Sequence, residues 1–158
     1  MEEILAENLT RLEKRYRTTA IIYMAQFFTA ILLIVASRLV SPDTENSLGQ
    51  NTLTTLWIAV IFIAVATFVL RRVLFRWERL RDVKLLKGFS GVFGTLQINS
   101  IFLGSLAEII AVIGFIIAMF GGDSGDMLRA GFVSLIIFLL NLPRKSVWQK
   151  IAANLEKV

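Results

Sequence analysis

Two absences bound the chemistry of this 158-residue chain: it has no cysteine and no histidine. Without cysteine there are no disulfides, thiolate ligands or thiol nucleophiles. Without histidine the usual base at neutral pH, the common haem ligand and most zinc sites are missing. Charge is scarce too. Asp, Glu, Lys and Arg make up 18% of the residues, against about a quarter in a soluble domain. No phosphate loop, paired catalytic carboxylates or nucleophile–base pair is present. These absences weigh against an enzyme, and no cofactor or metal is implied.

What the chain does have is apolar sequence: 56% hydrophobic residues and a mean hydropathy of +0.69. The charges are bunched between long apolar runs, the pattern of a polytopic membrane protein. The expected fold is an all-α membrane protein with four transmembrane helices in a single unit. Residues 18–40, 53–76, 95–120 and 127–143 form the spans. Residues 1–17 and 146–158 read as amphipathic helical segments lying on the membrane surface. In the first, Ile4, Leu5, Leu9, Leu12 and Tyr16 share a side. In the second, Val147, Ile151, Leu155 and Val158 do so, with Trp148 at the interface. No soluble segment is long enough for a core of its own. The first apolar run is too long for a typical signal peptide, so a retained helix is expected. Val73, Trp77 and Leu80 share a face, so the second helix is expected to run on past the bilayer.

Orientation follows from the basic residues. The N-terminal segment carries four of the seventeen Lys and Arg, the connection after the second span seven, and the C-terminal segment four. Arg38 and Arg129 are the only others. Both termini are therefore expected in the cytoplasm, in a bacterial-type inner membrane. The net charge of +5 needs no nucleic acid to explain it. Arg71, Arg72, Arg76 and Arg79 form a lipid-facing basic cluster suited to anionic headgroups on the cytoplasmic side.

One residue interrupts the uncharged interiors. Glu108 stands midway along residues 97–119, with eleven residues to either side. An ionised carboxylate at bilayer mid-depth costs on the order of 2.5–3.5 kcal/mol by insertion scales. Desolvation disfavours the charged form, so the carboxyl is expected to be protonated unless a cation lies beside it. Ser105, one turn earlier, is placed to accept its proton. Gln26, Ser134 and Thr67 are candidate partners from other helices. Gln97, Arg38 and Arg129 are too far away along the axis.

Beside Glu108 runs a stripe of small residues: Ser100, Gly104, Ala107, Ala111, Gly114 and Ala118. Their spacing by four and three makes a seam for close helix approach. Gly88, Gly91 and Gly94 extend the thin face towards the cytoplasm. The seam calls for another membrane helix, supplied by a homo-oligomer, a larger complex, or the first or fourth span of the same chain.

Residues 105–118, SLAEIIAVIGFIIA, resemble the carboxylate-bearing helix of the rotor-ring proteolipids of F- and V-type ATP synthases and ATPases. In that family a mid-membrane acid is followed six residues later by Gly, then by an apolar pair and Ala; Glu108, Gly114 and Ala118 fill that frame. The resemblance covers about residues 96–120 only. It implies a carboxyl at Glu108 that binds and releases a proton or cation. The family's glycine-rich preceding helix has no counterpart, since residues 53–70 hold no glycine.

Three weaker features have plain structural explanations. Asp123 and Asp126 sit in a Gly-rich turn with too few oxygens for calcium. Asn141 caps or bonds across helices near the end of the fourth span. The sequon at Asn8 lies on the wrong side for glycosylation. Two functions follow: a proton- or cation-coupling subunit working through Glu108, or a structural or assembly subunit in which Glu108 only hydrogen-bonds between helices.

Overall fold

The structure, a computed structural model, describes residues 2–39, 48–121 and 124–156. The chain is all-helical: α1 (Glu2–Leu39), α2 (Gln50–Leu74), α3 (Trp77–Gly121), α4 (Ser124–Asn141) and α5 (Lys145–Glu156), with no strand among the described residues. Four helices are long and apolar enough to cross a membrane, as an integral membrane protein requires. Pro143 lies between α4 and α5. Pro143 has no N–H with which to continue α4.

The N-terminal segment is not a separate surface helix. Residues 2–39 contain neither Gly nor Pro, so nothing breaks the ladder between the charged turns and the apolar run. The result is one rod of 38 residues, about 57 Å long. The second helix, by contrast, stops earlier than its pattern suggests. The Arg76 N–H closes a tighter turn onto the Val73 carbonyl at 3.3 Å, and Asn99 Nδ2 donates to the Leu74 carbonyl at 3.0 Å. With its last carbonyls taken, α2 ends at Leu74. The face shared by Val73, Trp77 and Leu80 is thereby split: Leu80 is buried and the other two are exposed.

Within α3 the backbone of Gly88 has φ 64° and ψ −170°. Side-chain-bearing residues pay steric strain there, which glycine avoids. Gly88 therefore separates a short helix, residues 77–87, from a long one, residues 89–121. It is an exposed hinge and not part of a thin packing face. Of the three glycines expected there, Gly94 meets another helix: a Cβ at its position would come 2.9 Å from Arg15 Nη1.

Two hydrophobic clusters result. The bundle core gathers Tyr23, Ala30, Val60, Ala107, Ile110, Ala111, Ile137 and Phe138. A second cluster joins Leu12, Leu80, Val92, Phe93, Leu96, Trp148 and Leu155. The terminal segments and the basic connection, each too short for a core, make one together. Trp148, expected at the membrane interface, is 2% exposed and packs edge-on to Tyr16 with ring centroids 5.7 Å apart. We call this the basic end of the molecule.

The hydrogen bonds also set a ruler along α3. Asn99 is level with the end of α2, and at the far end the Leu48 N–H bonds the Phe120 carbonyl at 2.8 Å. Asn99 to Phe120 spans about 31 Å, the thickness of a bilayer's hydrocarbon core. Many large apolar side chains point outward within this slab, among them Leu32, Phe62 and Phe132.

Candidate functional site

The seam of α3 faces the interior of its own bundle. Ser100, Gly104, Ala107, Ala111, Gly114 and Ala118 are all buried. Gly104 admits α1, since a Cβ there would lie 2.3 Å from Gln26 Oε1 and 3.0 Å from the Tyr23 ring. Gly114 admits α4, where a Cβ would meet the Ala130 Cβ at 2.4 Å. Between these two points Ser134 Oγ of α4 donates to the Ala107 carbonyl at 2.7 Å. At Gly104, Ala107 and Gly114 the seam is filled by the first and fourth spans of the same chain.

Across the same bundle Tyr23 Oη donates to the Phe138 carbonyl at 2.6 Å, and its ring stands edge-on to Phe138, centroids 5.4 Å apart. Phe138 lies in the last turn of α4, whose carbonyls lack onward partners. Tyr23 thus locks α1 to α4 one turn from Gln26 and fixes the height at which Gln26 meets α3.

Glu108 lies on α3 at the border between the packed seam and the outer surface. Its neighbours Ala107, Ile110 and Ala111 are fully buried, whereas Ile109 and Val112 are exposed; Glu108 itself is half-buried. Measured along the α3 ruler, it is nine residues beyond Asn99 and twelve before Phe120, or about 13 Å and 18 Å from the two boundaries.

One turn towards the basic end, Gln26 Nε2 donates to Ser105 Oγ at 2.8 Å. Gln26 Oε1 is buried without a partner, pressed over Gly104. The structure therefore joins two residues named from sequence, Gln26 and Ser105, to each other. The other two candidate partners are engaged elsewhere: Thr67 donates to the Ile63 carbonyl and Ser134 to Ala107. Among the described residues Glu108 has no hydrogen bond or ion pair. Chemically this is a carboxyl in the middle third of a membrane-length helical stretch, one turn from an amide–hydroxyl pair, with part of its surface open to whatever surrounds the bundle.

No protein-family model, curated protein or solved structure matches this chain.

The remaining sequence candidates separate. Arg71, Arg72, Arg76 and Arg79 are all exposed but do different things. Arg71 Nη1 donates to the Leu140 carbonyl, Arg72 lies 5.8 Å over the Phe68 ring, and Arg76 is 3.5 Å from Glu78. Asp126 pairs with Arg129 at 3.0 Å; Asp123 lies outside the described residues, as does most of the 41–51 connection. Asn141 caps within its own helix, donating to the Ile137 carbonyl at 2.9 Å.

Sequence reading missed Tyr23, whose hydroxyl is lost to view in an apolar run. Its spacing is the signal. Tyr16 and Tyr23, seven residues apart, fall on one face of α1, and Tyr16 Oη likewise donates across, to the Pro143 carbonyl at 3.2 Å.

Proposed function

We propose that this protein is a small subunit of a membrane complex that binds and releases a proton or small cation at Glu108. Both termini lie on the cytoplasmic side of a bacterial-type inner membrane, because the basic end gathers nearly all the Lys and Arg. One observation carries the reading: Glu108 is half-buried at hydrocarbon depth, and among the described residues nothing bonds it. An acid kept only to tie helices together would be engaged by Gln26, Ser105, Ser134 or Thr67, and those four bond elsewhere. An acidic residue at this depth is expensive and normally marks an ion or proton path. The local resemblance of residues 105–118 to a proton-carrying helix points the same way. The unfilled side of Glu108 faces outward, so its exchange partner is another protein at the bundle surface, in keeping with a complex.

The test is dicyclohexylcarbodiimide, which modifies protonated carboxyls in apolar surroundings. Glu108 is expected to be labelled in folded protein in membranes, less as pH rises, with Glu108→Gln abolishing the adduct and any gradient-driven flux of the host complex. Absence of labelling at every pH, or a Gln variant with full flux, overturns the proposal and leaves the assembly role.

A further inference from the structure

A cavity of about 440 Å³ opens at the basic end, within the range of small-molecule sites, between the ends of α2 and α4, the side of α3 and the start of α5. Its lining includes two arginines, Arg71 and Arg144, and no Asp or Glu. These arginines come from different elements, the last turn of α2 and the connection to α5. Arg71 spends one of its five N–H donors on the Leu140 carbonyl. Neither arginine has a carboxylate partner among the described residues. The rest of the wall is largely apolar, with Leu103, Leu140, Val147 and Trp148 prominent.

We propose that this cavity is a binding site for an anionic membrane phospholipid, with the phosphate held between Arg71 and Arg144 and the first part of the acyl chains lying along the leucines. Three observations select this occupant. The charge is complementary and uncompensated, and guanidinium groups match phosphate oxygens in geometry. The depth is right: Asn99 and the ends of α2 and α4 mark the edge of the slab, where lipid phosphates reside. The apolar wall gives a lipid contacts that a free phosphate ion cannot use. The site also explains why Val147, expected on the packed face of the C-terminal helix, is 45% exposed: it lines the cavity while Trp148 and Leu155 enter the core. The proposal does not depend on Glu108.

The experiment follows thermal unfolding of the detergent-purified protein with added phosphatidylglycerol, phosphatidylcholine or soluble glycerol phosphate. Phosphatidylglycerol near saturation is expected to raise the midpoint by on the order of 5 °C, with little effect of the other two. Arg144→Gln, which removes no hydrogen bond of the fold, is expected to lose most of that shift, and Arg72→Gln/Arg79→Gln, outside the cavity, to keep it. Equal shifts with phosphatidylcholine or glycerol phosphate overturn the proposal. So does retention of the shift by Arg144→Gln, or its loss in the Arg72/Arg79 variant, which marks a diffuse surface charge.

Discussion

At Gly104 the absence of a side chain decides how α1 meets α3. The space a Cβ would need is occupied by the Gln26 amide and the Tyr23 ring, so Gly104→Ala must displace one of them. Overpacking of this kind costs about 1–3 kcal/mol, and a lowered unfolding midpoint in detergent is the expected result. Gly49→Ala, where a Cβ would meet nothing within 4 Å, is the neutral control. A Gly104→Ala protein as stable as the control would mean that Gln26 has room to swing away. The same residue explains the orphaned Gln26 Oε1: the bond from its Nε2 to Ser105 leaves the oxygen facing a backbone with no donor to give. At this scale much of the site was legible. Glu108, Ser105, Gln26 and the seam stand out because each is a polar or small residue in a run that is otherwise large and apolar. Which of them bond to one another was not, since spacing fixes the face of a helix but not the height at which a second helix crosses it.

Among the elements, α1 joins two environments on a single rod, and its polar half is held by α5. Lys145 Nζ donates to Glu13 Oε1 at 2.5 Å, outside the slab. That hydrogen bond, and then the charge of Lys145, hold the Glu13 carboxyl below its ordinary value. The folded state therefore favours the carboxylate. Its contribution is complete above the ordinary carboxylate range and is lost as pH falls through the lowered value. Both partners are exposed, so the effect is local and small. Spin labels on α1 and α5 should report a slight loosening of the contact once pH falls below the ordinary carboxylate range, and Glu13→Gln should remove that dependence. A contact unchanged with pH in the parent protein would show that the apolar cluster and the Tyr16 bond hold the two helices without the ion pair. Helix existence was readable from composition, but helix ends were not. The break at Leu74 depends on Asn99, a side chain from the next element, and the turn at Gly88 looks in sequence like one more member of a glycine stripe.

For the molecule as a whole, the four apolar runs led correctly to four membrane-length helices, because hydropathy over twenty residues is a local property. The second cluster escaped because it is non-local: Leu12, Leu80, Phe93 and Trp148 come from four separate stretches of the chain. Its carbonyl ends are closed in the same distributed way. Asn99 serves Leu74, Arg71 serves Leu140, Tyr16 serves Pro143 and Lys84 serves Leu155. Three of these carbonyls, Leu74, Leu140 and Leu155, belong to last helical turns and one, Pro143, to the α4–α5 connection, and each is completed by a residue of another element.

That closure carries a consequence for how the protein is made. Tyr16 of α1 pairs with Trp148 and Pro143, which leave the ribosome only after all four spans. Until then the polar half of α1 has only the α3 part of its apolar cover, and the newly inserted protein resembles the kind of unfinished product that membrane proteases remove. A chain ending at Asn141 keeps the four spans and should insert, yet it should be cleaved within residues 2–17 by added protease and turn over faster in cells than the full chain. Equal protection of the two proteins would show that α1 is already secured by α3 before α5 arrives.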